Sequence, residues 1–379
     1  MGVLRLYLAL SVVMSHGLTT LLGIHLLDGA GAVLVFFTIS GFLITVGLNK
    51  KYAATRLGRL HFYWNRAIRL YPMYWAWLII TVLLYLTVAT AIEYQKVVID
   101  GSREAAMFWS EHANAASSGT LLLAALGNIT GLFIDSFLAL DLARETGQLI
   151  PRSADGAWAM GFIFIGQYWT IGVEIVFYLV APWVVTRPLL SAVILALSAT
   201  GYLGRAWLWL VWYLGLPLAL EHLRAPDHLW FFMLGSLLAG AYMEITSSDR
   251  RPRISFGLMV CAFGGVAIFG DTLFPTADFP WWQFVGLTLT IPILFSLTSG
   301  GKVDGFIGDL SYPVYIVHFQ VIQMLGTYFQ PSGLLFAVAS VAIAVPMVLL
   351  IDRRANHLKW QSPPHPTAAA SAAYRSQLP

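Results

Sequence analysis

The sequence predicts an all-α fold, a polytopic bundle of transmembrane helices, and three observations support this prediction. Hydrophobic residues make up 58% of the 379-residue chain and charged residues only 11%, whereas about a quarter of a typical soluble domain is charged. The mean hydropathy is +0.72. Apolar stretches recur from one end of the chain to the other, and a soluble fold could not hide so much apolar surface from water.

Ten stretches satisfy the requirement of a spanning helix for about 20 mostly apolar residues. Two further stretches are weaker. Residues 119–140 contain Gly127, Asn128 and Asp135, and residues 206–220 are short and include a proline. Both are interpreted as interfacial or re-entrant segments. The ten predicted spans are 6–27, 30–49, 70–91, 168–186, 188–204, 229–246, 254–272, 281–299, 310–329 and 334–351.

Basic residues give the predicted bundle an orientation, because Lys and Arg accumulate in cytoplasmic loops. Clusters of them lie in the connections 50–69 and 247–253 and again after residue 351. Ten spans place all three clusters and both termini in the cytoplasm. The segment 92–167, with eight acidic and four basic residues, then lies outside. An eleventh span at 206–220 would move the second cluster to the opposite side, so the charge pattern favours ten.

The chain is predicted to form one membrane domain, residues 1–360, followed by a disordered cytoplasmic tail, 361–379, which is rich in Pro, Ala and Ser. The net charge of +3 gives no argument for nucleic-acid binding, and the single cysteine, Cys261, excludes an internal disulfide. Neither a metal-binding motif nor a glycine-rich phosphate loop is present in the sequence. We therefore expect no metal.

Ionisable residues within the predicted spans are functional candidates, because charge is costly inside a bilayer. His16 lies eleven residues after Arg5, about 16 Å along a helix, and is expected near the bilayer centre. Its imidazole could act as a general base or bond to a neighbouring helix. Glu174 could orient a histidine, bind a substrate hydroxyl or pair with an arginine. His318 lies in mid-span and could be structural or functional.

Arg66 and Arg69 are spaced so that both guanidinium groups lie on one helix face at the cytoplasmic mouth of a span. Two adjacent guanidinium groups suit a phosphate. Ordinary membrane topology and anionic lipid headgroups are the alternative explanation. Ser40 stands beside a glycine, which is a weak indication of a nucleophile, because Ser-Gly pairs are also common where helices pack.

Five motifs in order resemble those of the acyltransferase 3 family of membrane O-acyltransferases, and the resemblance extends along the chain. The fourth departs from the family pattern at Thr170, where serine is usual. The five segments are Arg5–His16 (Arg-x(10)-His), Val35–Ile44 (Phe-Phe-x-x-Ser-Gly-Phe), Asn65–Trp75 (Arg-x-x-Arg-x-x-Pro), Tyr168–Tyr178 (Trp-Ser-Leu-x-x-Glu-x-x-Phe-Tyr) and Leu310–His318 (Leu-Ser-Tyr-x-x-Tyr-x-x-His).

This resemblance implies transfer of an acyl group, usually acetyl, from cytoplasmic acyl-CoA to a hydroxyl of an extracytoplasmic carbohydrate such as a surface polysaccharide or glycoside. It implies a multi-pass protein of the bacterial inner membrane, here in a stand-alone form without the C-terminal hydrolase-like domain that many members carry. The implied roles are His16 as catalytic base and Glu174 as orienting group for His16 or for the acceptor. The implied CoA-phosphate ligands are Arg5, Arg66 and Arg69, and the implied substrate-binding residues are Ser40, Trp169, Tyr178, Tyr315 and His318.

A different class of function remains open from the sequence. In a transporter or flippase of a glycolipid or sugar, His16, Glu174 and His318 could form a proton relay. The absence of half-to-half symmetry weakens that alternative. A second enzyme alternative is the other large class of membrane-bound acyltransferases, which modify lipids or proteins, and the five motifs do not suit it.

Overall fold

The computed structural model describes residues 1–52, 54–89, 108–153, 156–216, 221–246 and 281–361, and nearly all regular structure in these ranges is helical. The predicted span 254–272 and all of the predicted tail except Gln361 lie outside the described residues. The helices are α1 (Gly2–His16), α2 (Gly29–Lys50), α3 (Arg56–Ala89), α4 (Ser118–Thr130), α5 (Ile134–Phe137), α6 (Trp169–Val184), α7 (Pro188–Ala199), α8 (Tyr202–Tyr213), α9 (Ala225–Thr246), α10 (Trp281–Thr298), α11 (Lys302–Tyr328), α12 (Gly333–Met347) and α13 (Arg353–Asn356).

Within the described part of the chain, four stretches are long and apolar enough to cross a membrane: Gly29–Lys50, Arg56–Leu84, Ala225–Thr246 and Gly333–Asn356. The pair α7 and α8 would make a fifth, although the two helices are bent by 82°. These stretches confirm the predicted class, a helical membrane protein. Each agrees in position with a predicted span.

Helix α1 is shorter than the predicted span 6–27, because it ends at His16 after 15 residues. Leu18 and Leu22 then take positive φ angles, which interrupt a helix. The next helix, α2, begins at Gly29, where the Asp28 carboxylate accepts hydrogen bonds from the backbone amides of Ala30 and Gly31. His16 therefore lies at the end of α1 and not in the middle of a span.

Two other predicted boundaries also differ. The span 188–204 ends early, because α7 stops at Ala199 and Gly201 turns the chain with a φ of +69°. In the opposite direction, α3 begins at Arg56, so most of the connection 50–69 continues the helix as a basic extension. The four arginines of that connection thus lie on a rigid element.

The segment predicted to lie outside contains the short helices α4 and α5 and a small antiparallel sheet, which the all-α prediction did not include. Its three strands are β1 (Leu140–Leu142), β2 (Leu149–Pro151) and β3 (Ala157–Trp158), in the order β2-β1-β3. The weak stretch 119–140 is mostly the 13-residue α4, about 20 Å long and too short for a full span.

The bundle is held together by close helix crossings. An added Cβ at Gly41 of α2 would lie 2.0 Å from the carbonyl oxygen of Phe232 in α9, and one at Gly235 would lie 2.0 Å from the carbonyl oxygen of Thr38. Only glycine allows this approach, which is typical of membrane helix interfaces. It brings α2, which carries Ser40, against the buried face of α9.

Both ends of the described chain lie at the same end of the bundle. The amino-terminal ammonium of Met1 forms an ion pair with Asp304 near the start of α11, at 3.0 Å. Arg69 of α3 contacts Asp309, also in α11, and Asp352, which follows α12. We refer to this end, defined by Met1, Arg69 and Asp352, as the basic end.

Candidate active site

A pair of histidines lies where α1 ends beside α11. The Nδ1 atom of His16 is 2.9 Å from the Nε2 atom of His318, and the two rings are stacked with centroids 5.0 Å apart. His318 is fully buried, whereas His16 is exposed. The sequence left the role of His318 open, and the structure makes it the hydrogen-bond partner of His16.

The hydrogen-bond partners assign one tautomer to each neutral ring. The Nδ1 atom of His318 is 2.6 Å from the carbonyl oxygen of Tyr315, which can only accept, so this nitrogen carries the proton. Its Nε2 is then an acceptor, and His16 must donate from Nδ1. These two hydrogen bonds leave the free lone pair of His16 on Nε2, as a general base requires.

The hydrogen-bond partners of Glu174 are Ser40 and Tyr178, and no direct hydrogen bond joins it to His16. Its Oε1 atom accepts hydrogen bonds from the hydroxyl of Ser40 and, at 2.5 Å, from that of Tyr178. The carboxylate thus binds together α2 and two successive turns of α6. The Ser40 hydroxyl is the donor in this contact and links α2 to Glu174.

A cavity of about 80 Å³ is lined both by this carboxylate and by Arg5. Arg5 lines it toward the start of α1, and Tyr315 lines it one turn of α11 before His318. Its remaining lining is Val33, Phe36, Phe37, Thr170, Ile171, Glu174, Ser311 and Tyr312. The volume is sufficient for ordered water beside the polar groups.

Tyr315 holds α11 against α6 next to this cavity. Its hydroxyl lies 2.8 Å from that of Thr170 and donates to the carbonyl oxygen of Gln167 at 3.1 Å. The threonine that departs from the family pattern therefore has a hydroxyl in contact with a predicted substrate-binding residue. Trp169 lies one residue before Thr170, and its ring is 6.0 Å from the guanidinium of Arg224.

The three predicted phosphate ligands lie in different surroundings. Arg69 is already paired, with Asp309 at 2.9 Å and Asp352 at 3.8 Å. Arg66 faces the rings of Phe62 and Tyr178, and its buried Nε has no hydrogen-bond partner in the described part of the chain. Arg5 lines the cavity.

The sequence reasoning did not identify Asp309 or Asp352 as parts of the site. Asp309 stands one residue before the Leu-Ser-Tyr motif, and Asp352 immediately precedes the basic pair Arg353 and Arg354. The sequence did contain a signal for both residues, because each is an acidic residue directly beside a span or a basic cluster. Their contact with Arg69 depends on three elements that meet only in the folded protein.

Comparison with known proteins identifies the family of this helical bundle with its histidine pair and basic end. The chain matches the model of the Acyl_transf_3 family, described as an acyltransferase domain, over residues 1–353, and it belongs to that family. It is also similar to the exopolysaccharide production protein ExoZ of Rhizobium meliloti (strain 1021). The two are 23% identical over 316 residues, which cover 80% of each protein. No solved structure gives a significant match.

Proposed function

We propose that this protein is an acyl-CoA-dependent O-acyltransferase of the bacterial inner membrane, with both termini in the cytoplasm and about ten spans. It transfers an acyl group, specifically acetyl, to a hydroxyl of an extracytoplasmic polysaccharide. One observation carries the proposal: a single cavity is lined by Arg5 at the basic end and by Tyr315 beside His318. Family membership and the similarity to ExoZ support the reaction class and the kind of acceptor.

The basic end suits the phosphate groups of the donor. Arg66 has a buried Nε without a partner among the described residues, and a bound phosphate oxygen would satisfy it. Arg5 is the second candidate ligand, whereas Arg69 positions Asp309 and Asp352 around the site. When bound, acyl-CoA supplies an acyl group activated as a thioester.

The histidine pair suits the removal of a proton from the acceptor. His16 Nε2 carries the lone pair, so it can accept the proton of the attacking hydroxyl as the new ester bond forms and the C–S bond of the thioester breaks. The departing coenzyme A thiolate then takes up this proton, which returns His16 to its neutral form. His318 continues to accept the Nδ1 hydrogen bond, which holds the ring and stabilises the charge that His16 gains. Glu174, with Ser40 and Tyr178, fixes α2 and α6 beside the cavity.

The test uses the full chain in lipid nanodiscs, with acetyl-labelled acetyl-CoA and a de-acetylated bacterial exopolysaccharide. We expect the label in base-labile ester linkage on the polysaccharide. His16→Ala should abolish transfer, and His25→Ala, which changes an exposed histidine outside the site, should leave it intact. Normal transfer by His16→Ala would remove the catalytic assignment. A parallel assay in proteoliposomes, which separate two compartments, tests the alternative: movement of the polysaccharide or its lipid-linked precursor across the bilayer without label transfer would support a transporter.

A further inference from the structure

The chain folds back onto the basic end after the last long helix. Helix α12 continues into a π-helical turn, Val348–Asp352, and then into α13. Residues 357–361 follow and lie against the basic extension of α3. The sequence predicted only a cytoplasmic end of the domain here, with Lys359 among the basic residues that orient the bundle.

This segment is fastened by Asn65 and its neighbours in α3. The Asn65 amide makes reciprocal hydrogen bonds with the backbone of Trp360, donating to its carbonyl oxygen at 2.9 Å and accepting from its N–H at 2.8 Å. The Trp64 indole donates to the carbonyl oxygen of Leu358 at 2.7 Å, and the ring of His61 stacks on Trp360 with centroids 4.0 Å apart. We call these five residues the C-terminal clasp.

Lys359 stands between the two clasped residues, so its backbone is fixed on both sides. The side chain is half-buried, and its Nζ donates to the Asn356 side chain. Asn356 in turn donates to Asp352 at 3.0 Å, and Asp352 faces Arg69. The ammonium group is thereby directed to the basic end and away from open solvent.

The charges around Lys359 are not balanced. Asp309 and Asp352 both face Arg69. Neither Arg66 nor Lys359 has a carboxylate within ion-pair distance among the described residues, and both are partly buried. Burial and the nearby charge of Arg69 together lower the pKa of Lys359 to about 8, while Asp352 opposes the shift. Partly buried cations without counter-ions are costly, so such a cluster suits an anion.

We propose that Lys359 is a further ligand of the donor's phosphate groups and that the C-terminal clasp positions it beside Arg66. This inference rests on the proposed function, because it assumes that the basic end binds the donor. It assigns the segment after α13 to the donor site. The required ligand chemistry is a phosphate group, which a CoA molecule or an anionic lipid headgroup could supply, and we commit to CoA.

Binding of unacylated coenzyme A to the full chain, measured by calorimetry in phosphatidylcholine nanodiscs, tests the inference without turnover. Lys359→Gln should raise the Kd about tenfold, as expected for loss of one charge-assisted contact. Lys359→Arg should restore most of the affinity. Lys302→Gln is the matched control. Lys302 is exposed at the first residue of α11, near the basic end, and lies outside the clasp. The Kd of coenzyme A for this variant should therefore equal that of the wild type.

A positioning role for the clasp predicts a further result. Trp360→Ala should weaken coenzyme A binding about as much as Lys359→Gln, and combining the two should give little additional loss. Additive losses would assign Trp360 a separate role and contradict the positioning argument.

Other outcomes overturn the inference in distinguishable ways. Wild-type binding that Lys359→Gln does not change would reject Lys359 as a ligand and leave the proposed function standing. No binding by the wild type would reject both. Nanodiscs with phosphatidylglycerol form the second arm: if Lys359→Gln reduces retention of that lipid but not coenzyme A affinity, the phosphate belongs to the membrane.

Discussion

The Nδ1 atom of His16 lies 2.9 Å from the Nε2 atom of His318, and His318 is bonded in turn to the carbonyl oxygen of Tyr315. The carbonyl oxygen of Tyr315 can only accept, and it therefore fixes the donor and the acceptor in both of these hydrogen bonds. A histidine that is exposed at the end of one helix is therefore held in one tautomer by a histidine buried in another.

The first prediction concerns the buried partner. His318→Ala should reduce kcat about a hundredfold, which is the loss expected when a general base is no longer held in its productive orientation. The Kd of coenzyme A should stay unchanged. His318→Gln should retain more activity, because its amide oxygen can accept from His16 Nδ1. Steady-state kinetics and binding on the same preparations test this, and equal losses for both variants would reduce His318 to a packing residue.

The second prediction separates the two arginines that the sequence treated alike. Arg69→Gln should destabilise the protein by about 3 kcal/mol, because it leaves the buried Asp352 without its counter-ion. Arg66→Gln should destabilise the protein much less, because it breaks only contacts with the Phe62 and Tyr178 rings, and should raise the Kd of coenzyme A, because the buried Nε of Arg66 has no hydrogen-bond partner among the described residues.

Thermal unfolding in detergent and calorimetry measure the two effects of these arginine variants. The reverse pattern, a stable Arg69→Gln variant with weak coenzyme A binding, would return Arg69 to the phosphate site.

The third prediction concerns Glu174. Glu174→Ala removes the acceptor of two hydroxyl groups, those of Ser40 and Tyr178, and should cost about 1 to 3 kcal/mol of stability. Glu174→Gln keeps an oxygen acceptor and should restore the stability. If the carboxylate also acts on the acceptor substrate, Glu174→Gln will be stable and still slow in acetyl transfer, whereas full activity would confine Glu174 to a structural role.

The fourth prediction is a pH dependence of donor binding. The pKa of Lys359 is lowered to about 8 by burial and by the charge of Arg69, with a smaller contribution from Arg66, while Asp352 and Asp309 oppose the shift. The ammonium form binds phosphate, so coenzyme A affinity should fall as the pH rises from 7 through about 8 and above. Lys359→Arg should remove this dependence, because arginine stays charged throughout. An unchanged profile would exclude titration of Lys359.

The fifth prediction concerns Asp135, which caps α9 by accepting hydrogen bonds from the backbone amides of Arg224 and Ala225. Asp135→Ala should cost about 1 kcal/mol. Burial raises the pKa of this carboxyl to about 6 in spite of those bonds. Its protonation therefore stabilises the folded state fully below about pH 4. That contribution is lost as the pH rises through about 6.

Asp135→Asn should keep the cap and flatten this part of the profile. Unfolding curves from pH 4 to 7 test both statements, and a profile that Asp135→Asn leaves unchanged would assign the titration to another group.

Much of the fold was predictable because hydrophobic length is a strong signal in membrane proteins. The helix that begins at Gly29 and the one that ends at Thr246 agree with predicted spans. The end of α1 at His16 was not predictable in this way, because the residues that follow it are as apolar as a helix would be. Positive φ angles at Leu18 and Leu22 have no signature in composition.

The candidate site was predictable as a set of residues but not as a set of contacts. Motifs singled out His16, Glu174 and His318, yet they gave no means of deciding which two touch. That depends on how α1 packs against α11, and the two histidines are 302 positions apart. Lys359 belongs to no sequence motif. Its position follows from the contact of Trp360 with Asn65, which only the folded structure shows.

The C-terminal clasp has a consequence for the order in which the protein is made. The basic extension of α3 is made early in synthesis, but the contacts of Arg69 with Asp309 and of Asn65 with Trp360 join positions 240 and 295 residues apart. A ribosome adding about 5 to 20 residues per second therefore leaves Arg69 without Asp309 and Asp352 for much of translation. If the basic end binds the donor as proposed, the donor site forms only after Trp360 has been made and has docked on α3.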